Sequence, residues 1–193
     1  PTRRSSDLIR CGGLSQEAET GGLYGDFSIV SDSNASGNRA VRSSNTGENP
    51  ALSNAHRAEF CVTIPEDGDY VILARTLATS GAFNSMYVQV DQAPAGGFVW
   101  HMKPSNSYTS QYVSDGGSYN GNNPPVTIRL TKGDHMVAFF NREKNVRLDK
   151  FELIKVVPTP LPPTIVPTEP PPTVQPTEPP PTEVPPTTVP TTC

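Results

Sequence analysis

The stretch Ala58-Glu59-Phe60-Cys61-Val62-Thr63-Ile64 decides the fold class, because its apolar and polar side chains alternate. The even-numbered positions are apolar, whereas Glu59 and Thr63 point to the opposite face, and this pattern is typical of a half-buried β-strand. The turn-forming sequence Pro65-Glu66-Asp67-Gly68-Asp69 comes next. Proline presets φ and glycine permits positive φ in such a turn. Residues 70–77 are again rich in apolar side chains, so we expect a second strand and a β-hairpin.

The same pattern recurs along the chain in short segments separated by turns. We expect further strands at residues 14–21, 27–30, 39–42, 85–91, 98–100, 111–113, 127–130, 135–141 and 147–156. The strands at 127–130 and 135–141 are predicted to form another hairpin. No segment has a helical period, and many short strands of this kind are typical of all-β folds. The sequence therefore predicts a β-sandwich of two antiparallel sheets.

The composition changes abruptly at Pro158. Fifteen of the 22 prolines and ten threonines fall in the last 36 residues, where a nine-residue repeat begins at Pro167 and again at Pro176. Such a segment cannot bury a core, so residues 158–193 are expected to be a disordered, polyproline II-like linker to a further domain of the same polypeptide. Residues 9–157 have the length of one domain. Residues 1–8 differ in character from that domain and are treated as a leader outside it, of the kind that sequencing read-through produces.

Charge and hydropathy exclude two classes of partner. The net charge is −4, and three of the glutamates lie in the linker, which leaves −1 for the rest of the chain. A nearly neutral domain lacks the basic surface that nucleic acid requires. The sequence contains no apolar run of 18 residues, so we expect no direct membrane insertion.

Three acidic residues are candidate metal ligands. If residues 14–21 form a strand, Glu17 and Glu19 project from the same face and repel each other. A hard cation such as Ca²⁺, which takes oxygen ligands with loose geometry, would remove that cost. Asp149 lies in the last predicted strand, which can neighbour the first strand in a sandwich. The alternative is a polar strand face that is open to water.

The cysteines leave two interpretations open. Cys11 precedes the first predicted strand and Cys61 lies inside a strand, so the two could form a disulfide in an oxidising compartment. Alternatively, Cys61 is a buried free thiol, as is common for cysteine on strands. Cys193 stands at the end of the sequence and gives no further information.

Several motifs occur in an order that resembles a known family. They are Glu17-Ala18-Glu19, Asn34-Ala35-Ser36-Gly37, Pro65-Glu66-Asp67-Gly68-Asp69-Tyr70, Leu130-Thr131-Lys132-Gly133-Asp134-His135 and Leu148-Asp149-Lys150-Phe151-Glu152-Leu153. This series resembles the carbohydrate-binding modules of families 6 and 35, galactose-binding-like β-sandwiches. The resemblance implies a jelly-roll fold and a structural Ca²⁺ held by Glu17, Glu19 and Asp149, with backbone carbonyl ligands in the loop after Asn34.

The resemblance also implies a saccharide site in the loops at one edge of the sandwich. A pyranose stacks its C–H face on an aromatic ring while polar side chains bind its hydroxyls. The predicted ligand-binding residues are Trp100, Tyr112, Arg142 and Asn145. Trp100 could instead be a core residue, since tryptophan is mostly buried in folded proteins. The chain departs from the family pattern where Arg147 occupies the place in which an asparagine is common.

No enzymatic motif is present. The three histidines lack zinc-ligand spacing, and no nucleophile elbow, phosphate-binding loop or dinucleotide fingerprint occurs. The sequence therefore predicts a non-catalytic module that tethers a bacterial secreted or cell-surface protein to polysaccharide. Two alternatives remain: a structural or adhesive sandwich of a cell-surface or filament protein that binds no sugar, and a small hydrolase or lyase.

Overall fold

The computed structural model describes residues 9–44, 51–119, 121 and 123–157. The expected leader at residues 1–8 and the expected linker at residues 158–193 lie outside the described residues. None of the helical segments in the described part of the chain is long and apolar enough to cross a membrane.

The regular structure of the described residues consists of β-strands joined by turns and loops, with two short 3₁₀ turns at Ala18–Thr20 and Ser36–Asn38. The strands are β1 (Ser15–Glu17), β2 (Gly22–Tyr24), β3 (Phe27–Ser31), β4 (Arg39–Ser43), β5 (Arg57–Ile64), β6 (Gly68–Leu77), β7 (Ser85–Val90), β8 (Ala93–His101), β9 (Thr109–Tyr112), β10 (Ile128–Leu130), β11 (Gly133–Asn141) and β12 (Arg147–Lys155). Most of the predicted strands are confirmed, because alternation of apolar side chains marks them. β2 was not expected, since it lies in the glycine-rich segment 20–25, which has the character of a turn.

The strands form two sheets in which neighbouring strands run antiparallel. One sheet has seven strands with the order β10-β6-β12-β4-β3, and β1 and β9 add to β12 and β6. The other has five strands with the order β2-β5-β11-β7-β8. Consecutive strands often belong to different sheets, as in a jelly roll, so the predicted all-β jelly-roll sandwich is confirmed.

Both predicted hairpins are wrong, although their strands exist. β5 lies in the five-stranded sheet and β6 in the seven-stranded sheet, so the turn at residues 65–67 carries the chain from one sheet to the other. The turn between β10 and β11 does the same. The reason is physical: proline, glycine and aspartate specify a sharp reversal, and a reversal serves a hairpin or a crossing between sheets equally well.

An aromatic cluster joins the two sheets at the centre of the core. The Phe60 ring of β5 lies 4.9 Å from the Phe151 ring of β12, and Phe139 of β11 lies 5.5 Å from Phe151. All three side chains are almost completely buried. Burial of each such side chain contributes roughly 1.5–3 kcal/mol. A Cβ at Gly21 would lie 2.3 Å from Cε1 of Phe60, so only glycine allows the chain to pass the ring here.

A disulfide between Cys11 and Cys61 fixes the N-terminal segment to β5. This is one of the two interpretations that the sequence left open. Two backbone hydrogen bonds hold the same segment: the Gly12 N–H donates to the Cys61 carbonyl at 2.9 Å, and the Thr63 N–H donates to the Gly12 carbonyl at 2.9 Å. The first described residues are therefore part of the domain.

Candidate functional site

Of the two N-terminal glutamates, Glu17 ends a strand and Glu19 lies in the turn that follows it. β1 ends at Glu17, and Ala18–Thr20 is a 3₁₀ turn with Ala18 fully buried. The Thr20 hydroxyl donates to the Glu17 carbonyl at 2.7 Å and closes this turn. The prediction that Glu17 and Glu19 share one strand face is wrong, because a strand long enough to hold both does not form.

The turn at Ser36–Asn38 nevertheless lies against both glutamates. The Ser36 hydroxyl donates to Oε1 of Glu17 at 2.9 Å. A Cβ added at Gly37, which has φ of 59°, would lie 3.3 Å from Oε1 of Glu19. The Oε2 atoms of Glu17 and Glu19 are buried and have no hydrogen-bond partner. Buried charged oxygens without donors are costly. Two such oxygens beside one turn fit the ligand chemistry of a hard cation, so these two residues fit Ca²⁺.

Asp149 belongs to the same neighbourhood but differs in its partners. It is fully buried at a β-bulge between Leu148 and Lys150 of β12. Its Oδ1 accepts the Ser36 N–H at 2.7 Å, and its Oδ2 pairs with Nη1 of Arg75. Both carboxylate oxygens therefore already have donors from the protein.

The three predicted metal ligands do not converge to one compact cluster. In the described part of the chain, the one group of three His, Cys, Asp or Glu ligand atoms within 4.8 Å of one another is Cys11, Cys61 and Asp134. Its two sulfurs are joined in the disulfide, so this group is not a metal site. Ser36 is the residue that connects the predicted ligands, since it donates to Glu17 and to Asp149.

A second polar network anchors the loop that carries Ser36. Oδ2 of Asp32 accepts a hydrogen bond from the Tyr108 hydroxyl at 2.9 Å and lies 2.5 Å from Nη1 of Arg147. The backbone N–H of Asn34, the Tyr108 hydroxyl and Arg147 together lower the pKa of Asp32. Burial, and then the bond to Asp32, raises the pKa of Tyr108 to about 12. Arg147 thus has a structural role at the position where the resemblance leads one to expect an asparagine.

Trp100 is not available to a ligand. Its side chain is fully buried, and its ring lies 6.4 Å from Phe139 in the core. The prediction that Trp100 contacts a ligand is wrong, because alternation along β8 turns this residue inward. The next residue, His101, is also largely buried and was missed, because no local pattern in the sequence distinguishes it.

The other three predicted ligand-binding residues lie in two separate places. Arg142 and Asn145 belong to the loop between β11 and β12, where Asn145 is exposed and has φ of 62°. Tyr112 is 44% exposed but lies on β9, opposite Leu73 in the seven-stranded sheet. The structure therefore brings Arg142 and Asn145 together and places Tyr112 elsewhere.

A cavity of about 280 Å³ lies beside the loop between β11 and β12. It is lined by Gly81, Asn84, His101, Pro104, Gly117, Ser118, Tyr119 and Glu143. Tyr119 is 37% exposed and offers an aromatic surface, whereas His101 and Glu143 are both 8% exposed. The cavity therefore combines an accessible ring with polar side chains that are held in the protein.

The contacts of Glu143 hold its carboxylate in a fixed position. Its Oε2 accepts the Asn84 N–H at 2.5 Å, and its Oε1 accepts from Nη1 of Arg142 at 3.1 Å. Nη1 of Arg142 also donates to the Ser85 hydroxyl. Each carboxylate oxygen has a second lone pair, so Glu143 can accept one further hydrogen bond at each oxygen.

His101 is the unsatisfied polar group of this cavity. Its Nε2 is buried and has no hydrogen-bond partner. Burial, and then the charge of Arg142, lowers the pKa of His101. The ring is therefore neutral at pH 7, and a neutral imidazole can exchange hydrogen bonds with a hydroxyl in either tautomer.

A second depression, a groove of about 480 Å³, lies on the outer face of the five-stranded sheet. Met136, Ala138 and Phe140 line it together with polar side chains that include Arg57 and Gln89. The amide of Gln89 donates to the Pro94 carbonyl at 2.6 Å and is thereby occupied. Among the described residues that line this groove, none has a buried side-chain atom without a hydrogen-bond partner.

Two antiparallel sheets packed around a main hydrophobic core define the class of this protein, a jelly-roll β-sandwich. The family 35 carbohydrate-binding module from Clostridium thermocellum is similar, with a TM-score of 0.53 and 18% identity over 72% of this chain and 96% of that one. A β-(1,4)-mannanase with GH26 and CBM35 parts from Podospora anserina matches with a TM-score of 0.58 and 16% identity, over 76% of this chain and 28% of that one.

A cycloisomaltooligosaccharide glucanotransferase from Paenibacillus sp., complexed with cycloisomaltoheptaose, also matches, with a TM-score of 0.54 and 18% identity over 72% of this chain and 18% of that one. The chain thus spans less than a third of the length of the two enzymes and nearly all of the binding module. No protein-family model and no curated protein matches the sequence. The expected similarity to family 35 modules is confirmed at the level of the fold.

Proposed function

We propose that this chain is a non-catalytic glycan-binding module that binds saccharide in the cavity lined by Tyr119, Glu143 and His101. One observation carries the proposal: an accessible aromatic ring, a carboxylate fixed by two donors and a histidine whose buried Nε2 has no partner belong to residues that line one cavity. The similarity in fold to a carbohydrate-binding module supports the same class of ligand.

The chemistry of these groups suits a pyranose. The face of the Tyr119 ring can stack on the C–H face of a sugar. Glu143 can accept hydrogen bonds from two neighbouring hydroxyls, because each of its oxygens has a second lone pair. Bonds to an ionised carboxylate are short and strong. A third hydroxyl that reached the buried Nε2 of His101 would give this polar atom the hydrogen-bond partner that it lacks.

A glycan array with purified protein tests the proposal, and variants locate the site. Tyr119→Ala and Glu143→Gln are expected to weaken binding about tenfold or more, since each removes a group worth roughly 1–3 kcal/mol. Tyr112→Ala tests the seven-stranded sheet and Arg57→Gln tests the groove on the five-stranded sheet. Loss of binding in either of these variants, with Tyr119→Ala unaffected, would place the sugar elsewhere. Absence of binding to any glycan would refute the function.

We further propose that Glu17 and Glu19 hold a structural Ca²⁺. Their unpartnered buried oxygens support this, and the unfolded chain would lack the site. A Ca²⁺ concentration of 100 times Kd should stabilise the fold by about 2.7 kcal/mol. For a domain of this size, that corresponds to a rise in Tm of about 5–10 °C. An equal Tm in Ca²⁺ and in EDTA would exclude the ion.

The proposed setting is a secreted or cell-surface protein in which the module tethers its neighbours to polysaccharide. The Cys11–Cys61 disulfide supports an oxidising compartment, since cytosolic thiols are kept reduced. Peptide mapping without reductant, on protein purified from its native source, should recover these two cysteines in one cross-linked pair. Self-association in size-exclusion chromatography without glycan binding would favour the structural alternative.

A further inference from the structure

Arg75 is a cationic side chain that pairs with Asp149, one of the three predicted metal ligands. It projects from β6, opposite Lys150 of β12. Its Nη1 pairs with Oδ2 of Asp149, and its Nη2 donates to the Asn34 carbonyl at 3.0 Å. Its guanidinium also lies 4.9 Å from the centre of the Tyr108 ring. Three different contacts therefore fix the position of this positive charge.

A β-bulge in β12 places Asp149 beside Arg75. Because the register shifts between Leu148 and Lys150, Asp149 is an extra residue that is fully buried beside Arg75. A buried carboxylate needs a compensating charge and donors. Arg75 and the Ser36 N–H supply both, so Asp149 has no need of a metal ion.

Glu17 and Glu19 are in the opposite situation. No cationic side chain among the described residues forms an ion pair with either of them, and each has a buried oxygen without a partner. The neighbourhood thus contains one acid that is already neutralised and two that are not. Ser36 lies between the neutralised acid and one of the other two: its N–H donates to Asp149, and its hydroxyl donates to Glu17.

We infer that Arg75 removes Asp149 from the ligand set, so that the Ca²⁺ site has two carboxylate ligands and a lowered affinity. The inference rests on the Ca²⁺ site of the proposed function. A fixed guanidinium repels a divalent cation, and with the Ser36 N–H it already compensates the charge of Asp149, so that this carboxylate gains less than Glu17 or Glu19 from binding an ion. Arg75 is therefore a positioning residue that sets metal affinity without contacting the metal.

Calcium titration of chelator-stripped protein by calorimetry tests the inference. Arg75→Gln is expected to tighten Ca²⁺ binding about tenfold, which is 1.4 kcal/mol. Arg75→Lys keeps the charge and should not tighten binding. Arg129→Gln is the matched control for net charge, because Arg129 is an exposed residue of β10 that pairs with Asp69. Weaker or unchanged Ca²⁺ binding in Arg75→Gln would overturn the inference.

A crystal structure of the wild-type protein with Ca²⁺ gives an independent test that needs no variant to fold. We expect Glu17 and Glu19 on the ion and Asp149 still paired with Arg75. Coordination of the ion by Asp149, with Arg75 displaced, overturns the inference but leaves the Ca²⁺ proposal intact. If Arg75→Gln binds Ca²⁺ and the wild-type protein does not, the proposal of a resident ion in the wild type is refuted. The inference that Arg75 lowers Ca²⁺ affinity is then supported. No binding by either protein refutes both.

Discussion

Removal of the Cys11–Cys61 disulfide should cost this domain a large part of its stability. The bond joins residues separated by 50 positions, so it restricts a long loop of the unfolded chain. In the chain-entropy model, a loop of this length corresponds to about 4 kcal/mol at 25 °C. Marginally stable domains have only about 5–15 kcal/mol in total. The Cys11→Ser variant is the better perturbation, since Cys11 is exposed whereas Cys61 is buried.

Urea unfolding followed by fluorescence measures the effect. Cys11→Ser should lower the free energy of unfolding by about 4 kcal/mol and the urea midpoint by about 2 M. In a thermal melt, the same loss corresponds to roughly 8–16 °C. Each protein should carry Cys193→Ser, so that the third cysteine cannot form a new pair with Cys61.

Cys193→Ser alone is the control and should leave the midpoint unchanged. A loss below about 1 kcal/mol in Cys11→Ser would refute the reasoning, because it would mean that the cross-link does not restrict the unfolded chain. A lower slope of free energy against urea would indicate that the variant has a more compact unfolded state.

Contacts in the core and at the surface give three further expected outcomes. Gly21→Ala should destabilise the fold by about 1–3 kcal/mol or more in urea unfolding, because the new methyl group would lie 2.3 Å from Phe60. Trp100→Phe should lower Tm yet leave glycan affinity unchanged within about twofold, since the residue packs in the core. Burial alone would lower the pKa of His135, but its hydrogen bond to Asp91 raises the pKa above the usual value. Its contribution to stability should be complete below about pH 6.5 and be lost as the pH rises through the folded-state pKa.

Each of these outcomes has its own control. Gly13→Ala adds a methyl group where nothing lies within 4 Å, so its midpoint should remain near that of the wild type. For His135, the change in unfolding free energy between pH 6 and pH 9 should become smaller in His135→Gln; an equal change in both proteins would contradict the assignment. If a folded Trp100→Phe protein lost glycan binding, Trp100 would have to be part of the glycan site.

Local sequence was sufficient for the strands but not for their partners. Residues 58–64 alternate so regularly that β5 could be placed within one residue. Its pairing with β11, and not with β6, depends on how two sheets pack, which no local pattern encodes. β2 was missed because Gly21, Gly22 and Gly25 give this segment the character of a turn, although Gly21 is required by its contact with the Phe60 ring.

For the candidate sites too, some residues could be predicted from the sequence, whereas their contacts depend on packing between distant strands. The resemblance directed attention to Glu17, Glu19 and Asp149, and all three lie against the turn Ser36–Asn38. The role of Arg75 could not be predicted, because the bulge that buries Asp149 depends on the register between two distant strands. Arg142 was expected to touch a ligand, whereas the structure shows it supporting Glu143 beside the cavity.

The pairing order in the seven-stranded sheet has a consequence for synthesis of the chain. β6 pairs with β9, β10 and β12, and all three are translated after it. A nascent chain that has emerged from the ribosome only as far as β6 would therefore expose a long strand with unpaired backbone groups on both sides. Such edges invite association with other chains. Protection by a chaperone should thus be needed until β12 is complete, and ribosome-bound fragments that stop before β12 should aggregate.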